Sequence, residues 1–142
     1  MNSILLAYGL VTMMTITAPC SDAPLFQTEA LGTNVGEATI AALDANAIPY
    51  LGTSGGLNSI LGTPVGTDAI EVISDTEMKV YGWCYSVDGV QPAAMPDQTP
   101  LEGVSSIDWF YGSAHYLDGV WVSYCDVSSK KTPARFCGRS RN

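Results

Sequence analysis

The chain has 142 residues and 15.0 kDa, with 46% hydrophobic and 14% charged residues, 14 glycines and 8 prolines; this bounds it to one folded domain, excludes disorder and suits short strands better than a helical bundle. All fourteen acids lie at or before Asp126, where Lys79 is the only base, so the body has a net 13 negative charges and argues against nucleic acid as a partner. The other five bases, Lys130, Lys131, Arg135, Arg139 and Arg141, make a basic tail over residues 128–142, read as a solvated terminus.

Residues 4–18 (ILLAYGLVTMMTITA) are uncharged and mostly apolar, and two readings stand. One is a signal peptide over residues 1–20, with Ala18-Pro19-Cys20 offering small residues at the required spacing, although no base precedes the apolar run. The other is a first β-strand, because residues 10–17 are rich in β-branched residues and the APCSDAP cluster is suited to turn the chain back into residues 25–31. The run is too short for a membrane span, which needs about 20 residues.

Residues 37–47 (EATIAALDANA) carry the one helical pattern, with Asn34 or Thr33 as cap, Glu37 in the first turn and Pro49 beyond the end. Residues 52–62 read as a glycine-rich loop around a short apolar patch. Residues 69–74 and 78–87 read as strands. Asp88-Gly89 and Asp118-Gly119 both have hairpin-turn chemistry. The second is the clearer, joining strands 107–117 and 120–127, and the proline-bearing segment 91–100 reads as an edge loop. Cys20, Cys84, Cys125 and Cys137 form an even set with no CxxC pair. That favours disulfides over zinc, in any of three pairings, and hence export to an oxidising compartment, secreted or at the cell surface.

Little in the chain suggests catalysis. His115 is the only histidine, and a Ser–His–Asp set with Asp108 lacks any nucleophile-elbow signature. Glu102 and Asp108 are two of many dispersed acids rather than a glycosidase pair. The GTSGG run of residues 52–56 lacks the Lys-Ser/Thr ending of a phosphate loop, and no calcium-loop spacing occurs. No metal and no resident cofactor are expected. Aromatics are the richest pattern: Tyr81, Trp83 and Tyr85 alternate on one strand, as do Trp109 and Tyr111 on another. Each set shares a face, either as cross-strand packing or as a surface that stacks on a ligand or partner.

The order of these segments is itself informative. Residues 37–47 run into Ile48-Pro49-Tyr50 and the glycine-rich 52–56. Gly82-Trp83-Cys84-Tyr85-Ser86-Val87-Asp88-Gly89 and Ile107-Asp108-Trp109-Phe110-Tyr111 follow. Over residues 33–109 this resembles the transcobalamin-like C-terminal domain family. The chain departs from that pattern at Asp88, where the family has Asn, and at Gly103-Val104-Ser105-Ser106, where it has Gly-Asp. The hairpin containing Cys125 and the basic tail are additions. The resemblance implies an α+β, β-grasp-like fold over residues 21–127, a mixed and mostly antiparallel sheet wrapping one short helix, with an added C-terminal β-hairpin. It also implies a strand pair before the helix, and ligand contact at Trp83, Cys84 and Tyr85.

With Trp109 and Tyr111 added from the aromatic pattern, these five are the candidate ligand-binding residues. Cobalamin is one possible ligand. The carriers' larger helical domain has no counterpart in these residues, so a lone domain would cover one side of a corrin. The expected function is a non-catalytic extracellular module presenting aromatics to a small ligand. The alternative is a structural or interaction module of a secreted or cell-surface protein that docks a partner or self-associates.

Overall fold

The computed structural model describes residues 11–127 and 132–138. Its first elements are the antiparallel strands β1 (Met13–Thr17) and β2 (Pro24–Glu29), joined through the turn that holds Cys20. Of the two readings of the N-terminus, the strand pair is the one formed. The folded unit therefore begins before residue 21, and Met14 and Ile16 are fully buried. The first part of the signal-peptide reading, residues 1–10, lies outside the described residues.

Helix α1 (Val35–Ala45) starts two residues earlier than the pattern predicts. Asn34 is the cap, accepting from the Glu37 amide at 2.8 Å, while Glu37 reaches back to the Thr33 amide and hydroxyl at 3.2 and 2.7 Å. Both ends of the cap are thus satisfied, and Thr33 holds the Glu37 carboxyl below its usual range. The helix buries Val35, Ala38, Thr39, Ala42 and Leu43.

The glycine-rich segment is a hairpin rather than a loop. Strands β3 (Tyr50–Thr53) and β4 (Gly56–Ile60) form a separate two-stranded sheet, with Leu57, Ser59 and Ile60 buried. Glycines masked the strand character in sequence. Next come β5 (Ile70–Ser74) and β6 (Glu77–Val87), paired antiparallel. Asp88-Gly89 forms a tight turn with positive φ at both residues, but the chain then leaves the sheet. A short helical turn, Pro96–Gln98, packs on the N-terminal part of α1. The expected C-terminal hairpin, β7 (Ser106–Leu117) and β8 (Val120–Val127), closes on Asp118-Gly119, again with both φ positive.

The main sheet runs β2-β1-β7-β6-β5, and β7 is its axis. Along one edge β7 pairs with β6 over residues 107–117. Its other edge is shared: β1 pairs in parallel with residues 106–109, and β8 pairs antiparallel from Gly112 onward. The fold class is therefore α+β as expected, with the β1–β7 pair making the sheet mixed. One face of the sheet packs on α1, and Trp109 Nε1 donates to Thr39 Oγ1 at 2.9 Å across that interface.

Two disulfides staple the fold, Cys20–Cys137 and Cys84–Cys125. Described residues 132–138 of the basic tail are not a solvated terminus. Phe136 is fully buried and stacks on Tyr81 with ring centroids 4.3 Å apart, and Cys137 fixes the segment to the β1–β2 turn. Charge composition hid this, because the apolar anchor is a single ring among bases. Lys130, Lys131, Arg139 and Arg141 lie outside the described residues. No described helix is long and apolar enough to cross a membrane.

Candidate functional site

Period-two alternation decides which side chains share a face of the sheet. Paired positions Trp83↔Tyr111, Tyr85↔Trp109 and Tyr81↔Ser113 put the five alternating aromatics together on the helix side. All are buried: Trp83 and Tyr85 keep 9% of their surface, Trp109 and Tyr111 keep 2%. They pack against one another, Tyr85 stacked on Trp109 with centroids at 5.2 Å and Trp83 tilted against Tyr111 at 5.4 Å. The polar ends of Trp83 and Tyr85 are also engaged. Trp83 Nε1 donates to Thr63 Oγ1 at 3.0 Å, and Tyr85 Oη donates to the Ala94 carbonyl at 2.6 Å. Burial lifts the Tyr111 phenol to about 12. The rings expected to present a surface are core packing, the other of the two readings their alternation allows.

Cys84 lies on the opposite face and is bonded to Cys125. Part of the expected set still meets at one opening. Trp83, Cys84, Tyr85 and Trp109 contribute, with Leu57 and Met95, to a cleft of about 220 Å³. Tyr111 lies instead on a larger hollow of about 420 Å³ between the last residues of β1 and β8, Thr17 and Val127.

The face turned away from the helix is the more distinctive surface. Val72↔Met78, Met78↔Tyr116 and Tyr116↔Trp121 are successive register partners, so one apolar row crosses β5, β6, β7 and β8. Ile70↔Val80 and Val80↔Ala114 make the next row, and Gly82↔Gly112 and Cys84↔Phe110 follow. None of these positions carries a charge, although the chain has fourteen acids. Tyr116 and Trp121 meet edge-on at 5.2 Å, and Tyr124 stacks on Trp121 at 6.1 Å. Val72 is 72% exposed, Tyr124 65% and Trp121 38%. Nothing among the described residues covers them. Acids stand around the ends of this face: Asp75 and Asp118 in the turns at one end, Asp108 near the other.

The Cys84–Cys125 bridge shapes this face. Cys84 on β6 and Cys125 on β8 flank β7 from opposite sides, which in a flat sheet would set them about 9.5 Å apart. Their Cα atoms are 5.9 Å apart, so β8 curls over β7. Register shifts in β8 and a positive φ of 51° at Cys125 accommodate the bend. Beneath the bridge Gly112 is closely packed: a Cβ there would lie 3.3 Å from Cys84 Sγ and 3.0 Å from the Asp126 carbonyl oxygen, so a side chain would push its neighbours by a few tenths of an ångström.

Sequence reasoning missed Val72, Met78, Tyr116, Trp121 and Tyr124 as a site. The Asp118-Gly119 turn does encode the Tyr116–Trp121 pairing, since a two-residue hairpin fixes its register. The continuation to Met78 and Val72 depends on strand pairing that no local pattern reveals. His115 is on the helix side, with Nε2 2.7 Å from Glu77 Oε2, whereas Asp108 faces the other way. The sheet thus separates His115 from Asp108. No family model, curated protein or solved structure matches this chain.

Proposed function

We propose that this chain is a non-catalytic, extracellular interaction module that docks a protein partner on the open face of its sheet. The observation that carries the reading is the uncharged row Val72–Met78–Tyr116–Trp121 with Tyr124 beside it, in which Val72, Trp121 and Tyr124 are exposed and Met78 and Tyr116 half-buried, in an otherwise acidic body. Contiguous apolar surface of this kind marks interaction sites, and aromatics are favoured at their centres. Charge selects the partner. The face is neutral and its ends carry Asp75, Asp118 and Asp108, so the complementary surface is apolar at its centre and basic at its rim. Two disulfides fit life in an oxidising compartment. The single helix clasped by a mixed sheet is compatible with a β-grasp domain akin to the transcobalamin-like C-terminal family.

The test is a photoreactive amino acid in place of Tyr124, with one at exposed Leu51 as control. The cross-linked partner is identified by mass and the complex rebuilt from two purified proteins. The expected outcome is an adduct specific to position 124, an affinity that falls at least tenfold in Trp121→Glu, and weakening by salt. Equal cross-linking at both positions, or a complex indifferent to Trp121→Glu, overturns the proposal.

A second reading keeps the small ligand. It is supported by the cleft lined by Trp83, Tyr85 and Trp109, whose volume of about 220 Å³ is below the roughly 300–1,000 Å³ typical of ligand pockets. A cobalamin titration followed by tryptophan fluorescence decides it, and no saturable quenching up to millimolar ligand removes the corrin version.

A further inference from the structure

Strand β6 has one edge that its neighbours cover only in part. There β5 pairs with it as far as Ile70↔Val80, and the next partner is Val90, opposite Val87. Among the described residues nothing pairs with residues 81–86 on that edge. We infer that this gap binds a short, extended, uncharged peptide segment, added as a strand beside Trp83 and Tyr85.

The direction of the main-chain groups follows from alternation along the antiparallel ladder. Asp88 N–H donates to the Ser106 carbonyl at 3.0 Å, and Met13 N–H donates to the Ser105 carbonyl at 3.0 Å. Even-numbered residues of β7 therefore turn their N–H and C=O toward β6, and odd-numbered ones toward β1. In register, Gly82↔Gly112, Cys84↔Phe110 and Ser86↔Asp108 are the hydrogen-bonded pairs. Trp83 and Tyr85 consequently direct N–H and C=O away from β7, into the gap. Val87, next in that series, uses the same edge to exchange hydrogen bonds of 2.8 and 3.0 Å with Val90. The main-chain groups of Trp83 and Tyr85 find no such partner among the described residues. Donors and acceptors repeating every second residue are the pattern another strand completes.

The cleft of about 220 Å³ runs along this gap. Trp83 and Tyr85 send their side chains to the helix side and Cys84 to the open face, so a cleft touched by all three follows the strand edge. Its walls are Gly55 and Gly56 on one side and Pro92, Met95 and Pro96 on the other. A Cβ at Gly56 would meet nothing within 4 Å, so the cleft is open there. None of the lining residues carries a charge, and a charged side chain entering would lose water without gaining a partner. The volume, small for a ligand pocket, suits about two small residues in extended form. This inference takes up the cleft of the second reading and gives its ligand a different chemistry; it does not depend on docking at the open face.

The probe is acetyl-Thr-Val-Thr-Val-amide, titrated into the full disulfide-bonded chain, isotope-labelled and followed through its amide NMR signals. The expected result is a saturable shift and slowed hydrogen exchange at the Trp83 and Tyr85 amides, with the Trp121 indole unmoved. Two further peptides carry N-methyl groups on the valines or on the threonines. One is expected to bind at least about tenfold more weakly, having lost hydrogen bonds to the edge, and the other as the parent does. Acetyl-Glu-Val-Glu-Val-amide is expected not to saturate. Absence of a saturable shift at Trp83 and Tyr85, equal weakening by both methylation patterns, or equal binding of the glutamate peptide overturns the proposal. Cyanocobalamin forms a parallel arm: saturation by it and not by the peptide overturns the peptide site and favours the corrin reading.

Discussion

Replacing Gly36 by alanine sets two effects against each other, and the structure decides the sign. Gly36 is the second residue of α1, and by helix propensity alone alanine there is worth up to about 1 kcal/mol. In the fold, however, a Cβ on Gly36 would lie 1.9 Å from the Ser54 carbonyl oxygen, 2.8 Å from the Ser54 carbonyl carbon and 3.0 Å from the Asp97 amide nitrogen. A carbon–oxygen contact ordinarily settles near 3.3–3.6 Å, so the β3–β4 turn or the helix must shift by more than about 1 Å. Both obstacles are backbone, which no rotamer change relieves. Overpacking costs about 1–3 kcal/mol; a 1.9 Å contact with backbone puts this case at the upper end, about 3 kcal/mol, which leaves Gly36→Ala roughly 2 kcal/mol less stable after the propensity gain.

Urea denaturation of the disulfide-bonded protein measures it. With a slope near 2 kcal/mol per molar, the midpoint falls by about 1 M. Ala41→Gly, on the exposed face of the same helix, is the control and costs about 1 kcal/mol. If Gly36→Ala is as stable as the parent or more so, the docking of α1 against the β3–β4 turn is wrong, and with it the lining of the cleft by Leu57.

Three further outcomes are expected. Cys20→Ser with Cys137→Ser opens a link spanning 117 residues, and Cys84→Ser with Cys125→Ser one spanning 41; chain entropy puts the losses at about 5 and about 4 kcal/mol respectively. The first loop encloses the second, so the two losses are not additive, and calorimetry of both variants and their combination checks this. Trp109→Phe removes the bond to Thr39 and is expected to cost about 1–2 kcal/mol by urea denaturation, with no cost if helix and sheet are not joined there. The raised Tyr111 phenol favours its neutral form in the fold, so its stabilisation is complete below pH 10 and lost as pH rises through about 12. Tyr111→Phe should flatten that alkaline limb in stability measured against pH.

Much of the fold is local enough to be written in sequence. The capped helix, the Asp118-Gly119 hairpin and the pairing of β-branched residues near the N-terminus each depend on residues a few positions apart. Dihedral preference and alternation specify them without reference to the rest of the chain. The same locality explains why the five aromatics were placed correctly on shared faces. It could not say which face meets the helix, because alternation fixes a relation between neighbours and not a direction in space.

Tertiary structure decided the remainder. Strand order, the edge of β7 shared by β1 and β8, and the disulfide pairing all join residues tens of positions apart. So does the burial of Phe136 in a segment that composition marks as polar. The uncharged row from Val72 to Trp121 exists only once four strands are in register. Contacts at such separation are selected by what the whole core can bury at once, which no window of sequence contains.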